Sequence, residues 1–522
     1  MSEASSITVS ADGLMRAQAQ LAGLVPPENR LMLARRAWAM DPSARRLRQL
    51  AAACADCGDA GGAAAALAGL PEFIWQDGAP DGSAWRALRA QLAAAGVAVP
   101  APSSPAGRLV ISFTFPPFVA TAGTVMARRI ETDGRRADVI SNDMSGRTGL
   151  DPALYAAIRP LIGHHLLLDC ENDPARPAAV TDFADKAARA VGAPGFGRPA
   201  YDEVWSRSMW VQSHFAAAAL VVAGKAASWV AEFSDPCRRN LDGQEARTPG
   251  DDDWLERSGI AGLLHARGFA VPAGRSLMFW AEYLPFCLAD RLIFTNEAQR
   301  DLMLSQDDPP DIIARAAARA EVIPHPVPGP LLLSAMPMPE PLRGPLLLGY
   351  FGSANPRRGL GRLLEAMAAM PATLRSRIEL HVHGAPDPAL RPEVARLGLE
   401  GCVRLGAPLG YLAALARMRM MDWLFLNDTA RGEGFAVNPY LPSKLSDYRS
   451  AARPLLVHAD PGSSLDSADL PPGSLRARTD DPDALTQAIC RIAAAGAGDP
   501  CSLQSRQAGG NPPGETQEGA PI

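Results

Sequence analysis

"LVISFTFPPFVATAGTVMARRIETDGRRADVISND", residues 109–143, sets two hydrophobic rhythms side by side. Leu109–Phe115 is a short, mostly apolar run, long enough for a buried strand. Thr121–Gly134 carries Val125 and Ile130 and ends on a glycine, which reads as a helix with its stop signal. "ADVISND" (137–143) is a second short apolar run. Strand, helix and strand within about thirty residues is the βαβ pattern of a parallel sheet.

Outward from this unit the pattern repeats. "HHLLLDC" (164–170), "ASWVAEF" (227–233) and "DRLIFTN" (290–296) are short apolar runs ending in polar residues. A polar insertion at 236–275 reads as a long loop with a short helix. A second series begins near 345 with "PLLLGYFGS", the helix "GLGRLLEAMAAM", and the strands "IELHVHG" and "CVRLG". "GYLAALARMRM" (helix), "DWLFLND" (strand), a helix at 442–452, "PLLVHAD" (strand) and a helix at 481–495 complete it. The expected fold class is α/β, with two doubly wound, Rossmann-like units. Before them, residues 1–100 are Ala- and Leu-rich at helical spacing, with a break at Asp41-Pro42 and a stop at Gly58. This segment weakly resembles tetratricopeptide hairpins, so a helical domain is expected there, serving as a protein-docking surface or as a plain cap. "VPAPSSPAGR" (99–108) is a linker by composition. The expected domains are 1–100, 108–340 and 341–496, with a disordered tail at 497–522.

Composition narrows the function. The chain has 522 residues, too many for one ordinary core. At 47% hydrophobic and 20% charged it reads as globular. A net charge of −5 without a long basic run argues against nucleic acid as a partner. "MSEASSITVSADG" lacks a basic start and an apolar core, and no apolar run approaches the ~18 residues that span a bilayer, so a cytoplasmic location is expected. Only Cys54 and Cys57 of the eight cysteines are spaced C-x-x-C, without a second pair or a histidine partner, which leaves them structural.

In open α/β sheets, ligands bind outside the carboxyl ends of the strands, so the loops after strands hold the candidates. After Phe351 comes "GSANPRRGL": Gly352 permits close backbone approach, and Arg357 and Arg358 precede a helix start suited to an anion. After "DWLFLND" comes "NPYLPSKLSDYRSAARPLLVH" (438–458), where Pro439 and Pro442 restrict the loop ahead of a helix. Lys444 and Asp447, at i and i+3, share one face of its first turn. Asp447 suits the helix dipole there and Lys444 does not, a mismatch that a bound anion would relieve. A carboxylate in this place can accept hydrogen bonds from a vicinal diol such as ribose.

These segments resemble glycosyltransferase family 4, the retaining nucleotide-sugar transferases of GT-B architecture, over residues 108–495. The resemblance rests on "YFGSANPRRG" and "LPSKLSDYRSAARPLLV", and on "FPPFVATAGTVMARRI", "SRSMWVQSHFAAAAL", "WVAEFSDP" and "ADRLIFTNEAQRDLM" with "VIPHPV", in the family's order. It implies two Rossmann-like domains facing a cleft and transfer of a sugar to a hydroxyl of a glycan, a lipid-linked acceptor or a surface polysaccharide, with retention. Arg358 matches the family's diphosphate lysine, and Asp447 matches the second Glu of its paired-Glu motif, expected on the ribose. Gly123 matches the phosphate-approaching loop. Gly352, Ser353, Gly384, Asn438, Tyr440, Leu441 and Ser443 complete the implied donor site. His214 lies near the family's active-site histidine, so Arg358, Lys444 and His214 are the implied catalytic set, with Arg207 and Asp235 on the acceptor side. Two positions depart from the pattern: Ser353 stands where the family commonly has Arg, and Pro439 where it has its first Glu. No metal and no cofactor are expected, since no Asp-x-Asp follows a strand and Asp251–Asp253 fall in a polar loop. Attachment to the inner face of a membrane is compatible with such an acceptor. A nucleotide-sugar epimerase and a non-catalytic interaction protein with a degenerate transferase domain remain as alternatives.

Overall fold

A computed structural model describes residues 26–40, 44–97, 104–342, 344–352, 360–384, 387–430 and 434–496, with residues 12 and 14. The Asp41-Pro42 break, part of the 99–108 linker and the tail at 497–522 lie outside these residues. The chain divides into two units. The first is Met1–Met336 with Gly410–Leu412 and Arg431–Asp447; the second is Pro337–Leu409, Ala413–Ala430 and Tyr448–Ile522.

In the first unit, the Ala-rich segment forms the helices Pro27–Met40, Ala44–Asp56, Ala60–Ala68 and Ser83–Ala94. Small side chains at Ala34, Ala51 and Ala63 let the helices approach, and Leu47, Trp85 and Leu92 fill the space between them. Asp59 caps the third helix, its carboxylate accepting from Gly62 N at 2.9 Å. Cys54 and Cys57 are free thiols.

The expectation of helix throughout residues 1–100 is corrected by two strands, β1 (Phe73–Gln76) and β2 (Ala79–Asp81). They form an antiparallel hairpin with Gln76 opposite Ala79. The turn is Asp77-Gly78, with φ of 51° and 80°. Two successive left-handed residues are what a tight hairpin turn matched to strand twist requires, and Asp-Gly supplies them. The hairpin joins the main sheet, because Phe73 pairs with Leu166 in parallel register. A boundary near residue 100 therefore does not separate a helical domain from an α/β one.

The remaining strands of this unit are β3 (Arg108–Ile111), β4 (Ala137–Asn142), β5 (Ile162–Leu168), β6 (Glu203–Arg207), β7 (Trp229–Glu232), β8 (Arg291–Phe294) and β9 (Ala320–Val322). The described sheet runs β2-β1-β5-β4-β3-β6-β7-β8-β9, parallel everywhere except between β1 and β2. Successive strands step outward from β3 through β4 to β5, then start again on the other side of β3 with β6. That reversal makes the carboxyl ends of β3 and β6 the switch point where ligands bind in open sheets. The helix Thr121–Asp133 follows β3 and buries nine residues, among them Arg128, Arg129 and Glu131. The insertion at 236–275 holds two short helices, Asp252–Arg257 and Ile260–Ala266, where one was expected.

The second unit contains β10 (Leu346–Phe351), β11 (Ile378–His383), β12 (Val403–Gly406), β13 (Trp423–Asn427), β14 (Leu455–Ala459) and β15 (Leu475–Arg478), the last not anticipated from sequence. Their order is β12-β11-β10-β13-β14-β15, all parallel. Here the reversal falls between β10 and β13. Helices Leu360–Ala369 and Ala484–Ala495 cover the sheet through Leu363, Met367 and Ile489 against Leu348, Leu380 and Phe425. No helix among the described residues is long and apolar enough to cross a membrane.

Candidate functional site

In the first unit, the loop leaving β3 is tied at the switch point to the helix Gln212–Val222 that follows β6, where Phe113 N donates to Ser213 Oγ at 3.0 Å. Gly123 begins the helix behind this loop. A Cβ on it would lie 2.7 Å from the Thr114 carbonyl oxygen and 2.8 Å from Phe115 Cα, so only glycine lets the helix approach the loop this closely.

Beside the loops sits a cluster of buried charge. Glu232 ends β7 and is fully buried. Its Oε1 accepts from Arg207 Nη1 and, at 3.0 Å, from Arg129 Nη2. Its Oε2 accepts from Arg129 Nε and Trp205 Nε1, each at 3.2 Å. Burial alone would raise the Glu232 pKa, but Arg129 and Arg207 outweigh it and hold the carboxylate below its ordinary value. Arg207, at the end of β6, also reaches Ser234 Oγ at 3.3 Å and His325 Nε2 at 3.1 Å. Burial, then the charges of Arg207, Arg128 and Arg129, push the His325 pKa well down, so its imidazole is neutral. Asp235 is adjacent and acts electrostatically on Arg207.

Arg128 extends the cluster toward the 438–447 segment. Its Nη1 donates to Asp447 Oδ1 at 2.5 Å and to Ser446 Oγ at 2.9 Å. Tyr411 donates its hydroxyl to the same Asp447 oxygen at 2.7 Å, and Arg128 lies 6.0 Å from the Tyr411 ring centre. Burial raises the Asp447 pKa, opposed by Arg128, Tyr411 and Lys444 in that order. The loop ahead of the helix Lys444–Ala451 is internally fixed. Asn438 Oδ1 accepts from Tyr440 N at 3.1 Å, the Pro439 carbonyl accepts from Asn296 Nδ2 at 3.0 Å, and the Ser443 carbonyl accepts from Ser446 Oγ at 2.8 Å. Leu441 lies half-buried in the same loop.

His214 lies inside the first unit's core. It is wholly buried, its Nδ1 at 2.7 Å from Ser206 Oγ and its ring edge-on to Trp229 and Phe233. Burial pushes its pKa down to about 3. A neutral imidazole sealed among aromatic rings belongs to the core, and Arg207 is the residue that β6 presents at its carboxyl end.

In the second unit, Gly352 follows β10 at the switch point with φ of 137° and donates its N–H to the His383 carbonyl at 2.8 Å. A Cβ on Gly384 would lie 1.8 Å from the Gly352 carbonyl oxygen, so the two backbones touch and glycine is required. Tyr448 accepts from Phe351 N at 2.9 Å. After β13, Asp428 is buried and accepts from Ser463 Oγ at 2.6 Å and Asp460 N at 2.8 Å, both at Oδ2. Burial, opposed by these hydrogen bonds and aided by Asp460 and Asp466, pushes its pKa up to about 7. Ser353 and Arg358 lie outside the described residues.

The structure thus gathers Arg207, Asp235 and Asp447 about one cluster, with Lys444 acting on Asp447. Sequence reasoning missed Arg128, Arg129, Glu232, His325 and Tyr411. One signal was available: Glu232 interrupts the apolar run "WVAEF", and a carboxylate inside a buried strand needs a cationic partner. His325 between two prolines carries no comparable signal. Among the described residues, no group of three or more His, Cys, Asp or Glu is arranged to hold a metal ion.

No protein-family model and no curated protein matches the chain. Solved structures similar to it include Anabaena Alr3699/HepE in complex with UDP and glucose, 13% identical over 74% of this chain and 89% of that one, with a TM-score of 0.44. The catalytic domain of starch synthase IV from Arabidopsis thaliana, bound to ADP and acarbose, is 11% identical over 77% and 94%, with a TM-score of 0.48. WaaG, a glycosyltransferase involved in lipopolysaccharide biosynthesis, is 14% identical over 74% and 90%, with a TM-score of 0.40.

Proposed function

We propose that the chain is a retaining glycosyltransferase of GT-B architecture, moving a hexose from a nucleotide sugar to a hydroxyl of a glycan or lipid-linked acceptor. The observation that carries this reading is topological. The second sheet reverses its strand order between β10 and β13; the segment "YFGSANPRRG" begins at the carboxyl end of β10, and "LPSKLSDYRSAARPLLV" follows β13 in the chain, fourteen residues after Asn427. The first sheet reverses between β3 and β6, beside the segments matched to the acceptor side.

In this reading Asp447 holds the ribose diol, while Arg358 and Lys444 offset charge on the departing diphosphate. The acceptor hydroxyl attacks the anomeric carbon as its bond to the diphosphate oxygen breaks. That oxygen takes the electron pair, and the hydroxyl proton passes to the diphosphate. Glu232 is not the base: both its oxygens are engaged and its pKa is depressed. The reaction needs no metal in this scheme. The N-terminal helices serve as a docking surface for a protein partner, and the enzyme works in the cytoplasm or against the inner face of a membrane.

A panel of nucleotide sugars, scored by thermal shift and donor turnover, tests the proposal. One donor should protect the protein and be consumed, and Arg358→Ala with Lys444→Ala should abolish its binding. Unchanged affinity in the double variant sinks the site assignment. A second reading, a non-catalytic interaction protein, is favoured by the engagement of Asp447 with Arg128 and Tyr411. It gains if no nucleotide sugar binds.

A further inference from the structure

The cluster beside the first unit's switch point keeps buried donors in reserve. Glu232 spends both oxygens on Arg129, Arg207 and Trp205. Asp447 Oδ1 receives both Arg128 and Tyr411. His325 is different. A guanidinium only donates, so the 3.1 Å contact from Arg207 Nη2 makes His325 Nε2 an acceptor. The single proton of the neutral ring is therefore on Nδ1. That N–H is buried and has no partner among the described residues, in a side chain only 8% exposed. The Nε atoms of Arg128 and Arg207 are likewise buried without partners. Every one of these unspent positions is a donor.

Charge points the same way. Three guanidiniums, Arg128, Arg129 and Arg207, face two carboxylates, Glu232 and Asp447. Lys444 also acts on Asp447, and Asp235 on Arg207. A buried donor without an acceptor costs about as much as a lost hydrogen bond, and several on a net positive cluster are retained at a cost unless something completes them. A neutral sugar hydroxyl satisfies an N–H but not the excess charge. An oxyanion satisfies both.

We propose that this cluster binds an anionic oxygen group of the substrate, a phosphate or a carboxylate, with His325 Nδ1–H as its direct donor and Arg207 and Arg128 behind it. Arg207 has two tasks here: it anchors Glu232 and, by donating to Nε2, fixes the tautomer that makes His325 a donor. The inference rests on the transferase reading only for the source of the anion, which is either the donor's diphosphate or an acidic acceptor.

The test uses the full chain and isothermal titration with inorganic pyrophosphate, glucuronate, glucose 6-phosphate and, as neutral control, glucose. One or more anions should bind, and His325→Phe should weaken that binding about tenfold or more, the value of one charge-assisted hydrogen bond. His325→Gln, whose amide offers an N–H, should recover part of it and also guards against a Phe variant that folds poorly. Pyrophosphate responding alone assigns the cluster to the donor, whereas glucuronate or glucose 6-phosphate responding alone assigns it to the acceptor. Glucose binding as well as the anions, no anion bound by the unaltered protein, or equal affinity in His325→Phe and the unaltered protein each overturns the proposal. An anion site lost with His325, in a protein that turns over no nucleotide sugar, would sink the transferase reading and leave this one standing.

Discussion

At the scale of single residues, burial of charge decides what each group can do. Glu232 is buried between two arginines and stays ionised, while Asp428 is buried among hydrogen-bond donors and other carboxylates, with its pKa pushed up to about 7. The consequence for stability follows from proton counting. Between about pH 4 and pH 7 folded Asp428 keeps a proton that the unfolded chain has released, so stability falls as pH rises. The contribution is fully present below about pH 4 and gone by the folded pKa near 7, on the order of 4 kcal/mol. Asp428→Asn should remove this slope. Both donors, Ser463 Oγ and Asp460 N, reach a single oxygen, Oδ2, which an amide carbonyl can replace. Calorimetry at pH 4.5 and 7.5 should find the variant less pH-dependent and more stable than the unaltered protein at 7.5. An unchanged slope would count against a protonated Asp428. For Glu232 the interrupted apolar run "WVAEF" signalled a cationic partner but not which one, and for Asp428 nothing did, because its fate depends on which distant side chains meet it.

At the scale of elements, strands and helices with their own periodicity were legible, while those made by a turn were not. The βαβ at 109–143 stood out because strand and helix rhythms alternate within one short stretch, and β3, the helix Thr121–Asp133 and β4 follow it. The hairpin β1–β2 did not, since strands of four and three residues are too short for an alternating pattern. Its signal is local chemistry, the Asp77-Gly78 pair, set in an Ala-rich helical context. Strand β15, four residues long in a polar stretch, escaped for the same reason. The turn carries its own test. Gly78→Ala places a Cβ on a residue at φ of 80°, which should cost about 1–2 kcal/mol. Gly78→Asn, which tolerates the left-handed region, should cost less. Urea unfolding that finds the two variants equal to the unaltered protein would contradict the turn assigned here.

At the scale of the whole molecule, the first unit is one folding body from its N-terminal helices to β9, where composition suggested two. The shift toward Ala and Leu before residue 100 is real, but the hairpin within it completes the sheet. Phe73 and Ile74 pair with Leu166 and Leu167 on β5, and Phe73 packs against His164 and Phe196, whose ring centres lie 4.9 and 5.6 Å away. Glu72 forms an ion pair with Arg159 at 2.5 Å. Removing residues 1–100 would leave β5 as an unpaired apolar edge and uncover Phe196, an arrangement that invites aggregation. A chain starting at Ala101 should therefore be recovered mainly insoluble, or unfold well below the full-length protein. If the chain starting at Ala101 is soluble and its thermal transition unchanged, the N-terminal segment is an appended domain after all and the hairpin contributes nothing to the sheet it extends.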